Sequence, residues 1–278
     1  MQLDLEKVRK IIDSALEEDI GSGDVTSNIT IPEDAEIKAD FVTRETCVVA
    51  GIPVLEEIFA KAGDKVRFTP VSNEGFEIKP GTAIFHVEGN ARIILAYERV
   101  ALNLLQYTCG IATLTRKFAK EVQHTKAKVM DTRKTTPGLR VLAKYAVWIG
   151  GGKNHRFGLY DAILIKDNHI AFVGDVGKAV ELARFSAPDR MKIEVECDTL
   201  EQVQKALNAN ADIILLDNMD INSLKEAVKM NNGRCFLEAS GGVTIETVKA
   251  IAETGIDYIS VGAITHSAPS IDIGLDIK

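Results

Sequence analysis

Lys128-Val129-Met130-Asp131-Thr132-Arg133-Lys134-Thr135-Thr136-Pro137-Gly138-Leu139-Arg140 sets the pattern from which the fold is read. A short apolar run ends in a polar cluster. Pro137 then opens a helical pattern through Leu142, Tyr145, Ala146 and Trp148, so the polar residues sit where a strand hands over to a helix. In an α/β fold that is a ligand-facing position. Arg133 offers forked donors, Lys134 a point charge and the neighbouring threonines hydroxyls to an anion. Taken alone, the stretch reads equally well as a solvated basic loop. Its recurrence downstream favours a site.

After Lys126, short apolar runs alternate with helical patterns, the signature of βα units and a parallel sheet. The runs are Val129-Met130, Ala162–Ile165, Ile193–Val195, Ile213–Leu216, Cys235–Leu237 and Tyr258–Val261. They end, in order, in Asp131–Lys134, Lys166–His169, Glu196–Asp198, Asp217-Asn218, Glu238–Gly242 and Gly262–Thr265. A parallel barrel places every strand C-terminus on one face, which is where such folds bind and react. The polar clusters thereby become one site.

The preceding half has a different texture. Leu5, Val8, Ile12, Ala15 and Leu16 share one side of a helix, and Gly21–Ser27 breaks it. Alternation over Ala35–Phe41, a short strand at Cys47–Ala50, Val66–Phe68 and the Phe76–Gly89 segment predict an antiparallel sheet, with a Pro53-started helix among them. Two helical patterns follow, Ala91–Gln106 and Ile111–Gln123, separated by Cys109-Gly110. Ile271, Ile273, Leu275 and Ile277 alternate with polar residues, a strand able to return to the N-terminal sheet. The expected fold class is α/β: an N-terminal α+β sandwich over residues 1–109, rejoined by the tail 268–278, and an incomplete parallel, TIM-like barrel over 110–267.

A chain of 278 residues with 46% apolar content can bury a large core. No apolar run is long enough to cross a membrane, and the acidic start lacks a signal pattern, so the expectation is a cytoplasmic protein. Cys47, Cys109, Cys197 and Cys235 are too far apart for a metal or redox motif. A net charge of −7 argues against nucleic acid as a partner. Cations gathered inside an acidic protein imply a small enclosed polyanion.

Ser240-Gly241-Gly242 on one late strand and Val261-Gly262-Ala263 on the next suit a phosphate, because exposed N–H groups and a helix dipole both favour an anion. Glu196 and Asp217, at neighbouring strand ends, suit sugar hydroxyls or Mg²⁺; a structural salt bridge with Lys166 is the equal alternative. Gly150–Leu159 is a glycine-rich loop carrying Lys153, His155 and Arg156. Arg133, Lys134, His155, Arg156 and Lys166 together make a pocket for carboxylates and a diphosphate. No serine or cysteine has an evident base, so covalent catalysis lacks support. Arg99 reads as an arginine flanking an apolar helix stripe.

Several ordered motifs resemble the quinolinate phosphoribosyltransferases: Glu18–Thr26, Glu98–Asn103, Asp131–Gly138, Gly152–Arg156, Ile165–His169, Glu194–Glu196 and Glu238–Gly242. The resemblance implies a homodimer in which the N-terminal sandwich of one subunit covers the barrel mouth of the other, so that Arg99 reaches the partner's site. It implies that Arg133, Lys134, His155, Arg156 and Lys166, with Thr132 alongside, bind quinolinate and the diphosphate. By the same resemblance Glu196 and Asp217 hold ribose hydroxyls and Mg²⁺, and Ser240–Gly242 with Val261–Ala263 take the 5-phosphate. Lys134, Lys166, Glu196 and Asp217 are the residues it places nearest the chemistry. No organic cofactor is expected. The rival activities are a nicotinate phosphoribosyltransferase or a molybdenum-associated paralogue of the same architecture. A rival of another class is a non-catalytic sugar-phosphate-binding barrel, which gains little from so dense a set of cations.

Overall fold

The computed structural model describes residues 2–278. In chain order its strands are β1 (Glu36–Thr43), β2 (Cys47–Val48), β3 (Val66–Pro70), β4 (Glu77–Ile78), β5 (Ala83–Asn90), β6 (Lys128–Met130), β7 (Ile163–Ile165), β8 (Ile193–Cys197), β9 (Ile213–Asp217), β10 (Phe236–Ser240), β11 (Tyr258–Ser260) and β12 (Ile273–Ile277). The helices are α1 (Leu5–Ile20), α2 (Val25–Thr30), α3 (Ile52–Ala60), α4 (Ala91–Val122), α5 (Arg140–Gly150), α6 (Asp167–Val173), α7 (Val176–Ser186), α8 (Leu200–Asn208), α9 (Ile221–Asn231), α10 (Val248–Ala252) and α11 (Ala263–His266). The chain divides into two compact units. One takes in the chain up to Arg116 with Thr135–Gly151 and Thr265–Lys278; the other comprises Lys117–Lys134 and Gly152–Ile264.

The first unit is built on an antiparallel sheet ordered β12-β1-β5-β3. Alternation along β1 buries Ala39 and Phe41 and leaves Glu36 and Lys38 exposed, as a half-buried strand must. Phe41 meets Phe59 of α3 at 5.8 Å between ring centroids, and Phe59 meets Phe85 of β5 at 6.0 Å. Each such ring, removed from water, contributes about 1.5–3 kcal/mol. The C-terminal strand does return: β12 pairs with β1 from Ala39↔Ile277 to Thr43↔Ile273.

Local chemistry alters three expected boundaries. The break after α1 is shorter than Gly21–Ser27, because the Asp24 carboxylate accepts from Ser27 N at 3.0 Å and starts α2 at once. Pro137-Gly138 forms a turn, with Gly138 at φ +82°, and α5 begins only at Arg140. Cys109-Gly110 does not divide two helices; α4 runs unbroken for 32 residues. A Cβ on Gly110 would stand 2.2 Å from the Pro269 carbonyl oxygen, so this glycine serves a close approach of backbone to helix.

The second unit is a parallel sheet ordered β6-β11-β10-β9-β8-β7, with helices in the crossovers. Its first strand in sequence therefore pairs with its last, the circular order of a barrel, while β7 remains an edge. Beyond β6 a bridge from Met130 to Lys153 extends the sheet by one residue. All six apolar runs are strands, and their C-terminal ends lie at one rim.

Candidate active site

Strand parity decides what stands at that rim. Every second residue of a barrel strand points inward. The inward set is Leu164 and Lys166 from β7 and its end, Glu196 from β8, Leu215 and Asp217 from β9, Glu238 and Ser240 from β10, and Ser260 from β11. With Thr132, Arg133, Lys134, His155 and Arg156 they line a cavity of about 250 Å³. Nine residues singled out from the sequence thus share one chamber: Thr132, Arg133, Lys134, His155, Arg156, Lys166, Glu196, Asp217 and Ser240.

Two loops carry most of the positive charge, and one buried carboxylate ties them. Asp131 accepts from Asn154 Nδ2 at 2.6 Å and from His155 N at 2.8 Å. Lys153 also pairs with β6, its N–H donating to Val129 O and its carbonyl accepting from Asp131 N. The glycine-rich loop is in this way pinned beside the end of β6. Thr132 Oγ1 accepts from Lys134 N at 3.0 Å, closing a turn that presents Arg133 and Lys134.

Among the described residues, the guanidinium of Arg156 has one hydrogen-bond acceptor, Ala162 O at 3.2 Å from Nη1, while its Nε is buried without a hydrogen-bond partner. Burial, then the like charge of Arg133, holds this guanidinium below the ordinary arginine range. Glu194 and Asp161 pull the other way without bonding Nε, so this buried donor, beside a second cation, is left open to a ligand anion. Opposite, Lys166 Nζ lies 3.5 Å from Glu196 Oε2. Burial raises the Glu196 carboxyl above the usual range; Lys166 opposes the shift and Asp217 adds to it. The ion pair suggested by the sequence is therefore present, at a length and exposure that leave Lys166 able to meet a ligand.

Glu196, Asp198 and Asp217 bring one carboxylate oxygen each within 4.8 Å of the others. Hard oxygen donors in this arrangement suit Mg²⁺. Asp198 was visible in the sequence only as part of a strand-end cluster. Asn218, at φ +52°, donates from Nδ2 to Asp217 Oδ2 at 2.6 Å and aims that carboxylate.

On the late strands Ser240 lines the cavity, and Gly241 and Gly242 follow at φ +94° and +57°. A Cβ on Gly241 would lie 2.1 Å from Asn218 Oδ1, so glycine there makes room for the side chain that steadies Asp217. Helix α10 starts only at Val248, so any phosphate held at Ser240–Gly242 meets loop amides and not a helix N-terminus. The Val261 N–H is already spent on Met130 O at 3.0 Å. Gly262 and Ala263 follow β11 at the same rim. Arg99 is exposed on α4 in the first unit and is not among the residues lining the cavity.

Glu238 and Ser260 also line the chamber, and Glu194 stands against His155 without lining it; the sequence shows these residues only inside longer runs and motifs, not as single candidates. The signal was parity: Glu194 stands two residues before Glu196, and Glu238 two before Ser240.

The comparisons with known proteins agree along the whole chain. Residues 24–109 match the model for the quinolinate phosphoribosyl transferase N-terminal domain, and residues 111–276 match that for the C-terminal domain. A mitochondrial quinolinate phosphoribosyltransferase [decarboxylating] of Nicotiana tabacum is 44% identical, covering 99% of this chain and 82% of its own. A probable nicotinate-nucleotide pyrophosphorylase [carboxylating] of Bacillus subtilis is 41% identical, with 98% and 93% covered. The crystal structure of nicotinate-nucleotide pyrophosphorylase from Ehrlichia chaffeensis superposes with a TM-score of 0.95 at 44% identity, covering both chains fully.

Proposed function

Because the chain belongs to the quinolinate phosphoribosyltransferase family, we infer that the cavity at the strand C-termini is where its two substrates meet. The enzyme transfers phosphoribosyl from 5-phosphoribosyl 1-diphosphate to quinolinate and releases CO₂, giving nicotinate mononucleotide and diphosphate for NAD biosynthesis. The observation that carries the site assignment is the Arg133–Arg156 pair, two like charges lining one cavity, with the Arg156 Nε buried and without a hydrogen-bond partner. A dicarboxylate placed there satisfies the donor and cancels the repulsion.

In this reading Arg133, Arg156 and Lys166 grip the ring carboxylates, and His155 shapes the floor beneath them. The pyridine nitrogen is thereby held in line with C1 of the ribose, and positioning supplies much of the rate. As the C1–O bond to diphosphate breaks, positive charge grows on the sugar and negative charge on the leaving oxygens. Lys134 and Lys166 face the latter; Glu196 and Asp217 face the ribose hydroxyls and the growing positive charge. Glu196, Asp198 and Asp217 would hold Mg²⁺, which would supply positive charge to the leaving diphosphate. The alkylated ring nitrogen then carries a positive charge, and the carbon that loses CO₂ keeps the electron pair beside it until a proton arrives. Leu164 and Leu215 wall the chamber with hydrocarbon, which favours expulsion of an uncharged product. Ser240–Gly242 with Gly262 and Ala263 take the 5-phosphate.

The same reading gives a homodimer, with Arg99 of each subunit completing its neighbour's site, and a cytoplasmic location; among the described residues no helix is long and apolar enough to cross a membrane. The test is direct. With Mg²⁺ and 5-phosphoribosyl 1-diphosphate, the purified chain should release CO₂ from quinolinate and form nicotinate mononucleotide. Turnover of nicotinate in place of quinolinate would transfer the assignment to the rival activity.

A further inference from the structure

At the floor of the cavity, which Glu238 and Ser260 help to line, the barrel interior holds polar groups where hydrocarbon is the rule. Glu194 on β8, Glu238 on β10 and Ser260 on β11 are all buried, Glu238 being only 1% exposed. His155 Nε2 lies 3.2 Å from Glu194 Oε2 and 3.8 Å from Glu238 Oε2. Ser260 Oγ donates to Glu238 Oε1 at 2.5 Å. On the other side of the ring, the Arg156 backbone N–H donates to His155 Nδ1 at 2.7 Å. An N–H aimed at Nδ1 needs a lone pair there, so the ring proton is on Nε2 and points into the carboxylates. Both ring nitrogens face the protein, and the imidazole joins the buried acids to the backbone of Arg156.

We propose that Glu238 keeps a proton at the floor of the substrate cavity and, with Glu194 and Ser260, acts as a positioning residue that locks His155 as the Nε2–H tautomer and so fixes Arg156 for the dicarboxylate. The charge count requires such a proton. Two carboxylates and one imidazole place a ligand atom each within 4.8 Å of one another, and the imidazole in this tautomer is neutral. Two anions in so small a buried volume repel. Glu238 Oε1 already accepts from Ser260, which leaves Oε2, the oxygen turned toward Glu194 and His155, to carry the hydrogen. Burial first, and Glu194 next, push the Glu238 carboxyl up to about 8. Above that pH a second negative charge appears under the site, and the grip on a dianion weakens.

Other charges face the same chamber: Arg133, Lys134, Arg156 and Lys166 from the loops and β7, Glu196 and Asp217 from β8 and β9. Tyr258 is Glu238's register partner on β11. These groups are shared by the wild type and a Glu238→Gln variant, so the difference between the two isolates one proton. Glutamine keeps the shape and offers an amide donor where the acid has its hydroxyl.

The inference rests on the cavity being the quinolinate site. Arg156→Ala with undiminished activity would remove that reading, whereas loss in Arg156→Ala with the wrong outcome below would remove this inference alone. In the test, kcat and KM for quinolinate are measured from pH 6 to 10. The wild type should lose about tenfold in kcat/KM between pH 7 and pH 9, through KM, as one proton leaves. Glu238→Gln should stay within about threefold of wild type at pH 7 and lack that fall, while Glu238→Ala loses activity at every pH. An identical alkaline fall in Glu238→Gln, or damage at pH 7 equal to that of Glu238→Ala, would overturn the proposal. Ring-¹⁵N spectra of the wild type give a second reading that no variant's folding affects: His155 should show Nε2–H and bare Nδ1 at pH 7.5. An imidazolium or an Nδ1–H signal overturns the proposal, as does a stoichiometric divalent ion retained by the purified protein and lost in Glu238→Gln.

Discussion

Arg156→Met separates what the cavity needs from what the fold needs. The substitution keeps a linear apolar stem and removes the charge. In the ligand-free protein the substitution loses one hydrogen bond, Nη1 to Ala162 O at 3.2 Å, a long contact that stabilises by about 1 kcal/mol, together with the attraction of Glu194 and Asp161. Against it stand the buried Nε without a partner, which costs about 1–3 kcal/mol, and the repulsion of Arg133. The surroundings as a whole disfavour the charge, since the guanidinium is held below its ordinary range, burial first. The variant should therefore be more stable than wild type without ligand, by about 1 kcal/mol, or about 2–4 °C in Tm for a chain of this size. Binding runs the other way. Truncating one partner of a buried charged pair costs about 2–5 kcal/mol, so kcat/KM for quinolinate should fall by about 30-fold or more. Thermal melts with and without quinolinate measure both terms. A ligand-free Arg156→Met protein melting several degrees below wild type, or one that quinolinate stabilises as much as wild type, would refute the reasoning.

Other perturbations probe the remaining parts. Arg99→Ala and Lys166→Ala chains should each be inactive, yet mixed dimers carrying one of each should recover part of the activity; no recovery in verified mixed dimers would remove the shared site. Gly241→Ala forces a Cβ to 2.1 Å from Asn218 Oδ1 at a φ of +94°, so the Asp217–Asn218 pair should shift and KM for 5-phosphoribosyl 1-diphosphate should rise at least tenfold; an unchanged KM would show that this loop does not hold the sugar phosphate. Gly110→Ala places a Cβ 2.2 Å from the Pro269 carbonyl oxygen and should lower stability by about 1–3 kcal/mol in urea titrations, with the kcat of the folded fraction unchanged. Asp198→Asn should raise the Mg²⁺ concentration needed for half-maximal activity severalfold if that carboxylate shares the ion, whereas an unaltered requirement would confine the ion to Glu196 and Asp217.

The barrel half of the fold was legible because parallel strands buried on both faces write themselves as apolar runs. Each of those runs is a strand, and each polar cluster after it lies at the rim. The closing strand at Ile273–Ile277 was legible from its period of two. Cys109-Gly110 was misleading, because a glycine that admits a neighbouring backbone looks in sequence like one that ends a helix. The segment Thr135–Gly151 groups with the first compact unit, although it lies in sequence between β6 and β7 of the second. That grouping depends on which surfaces its apolar residues find, and the helical pattern is the same for either choice.

The buried acids escaped for a related reason. In Ile193-Glu194-Val195-Glu196-Cys197 the strand signal comes from the isoleucine and valine, and the two glutamates look alike. Their depths differ by one inward step: Glu196 reaches the rim beside Lys166, while Glu194 lies a layer lower against His155. The same step separates Ser240 from Glu238. A carboxyl at the rim can exchange its partner for a ligand; one a layer down has no water to fall back on and must keep its partners through every turnover. Period-two alternation assigns both to the barrel interior, and only the register between strands tells which of the two stands at the rim.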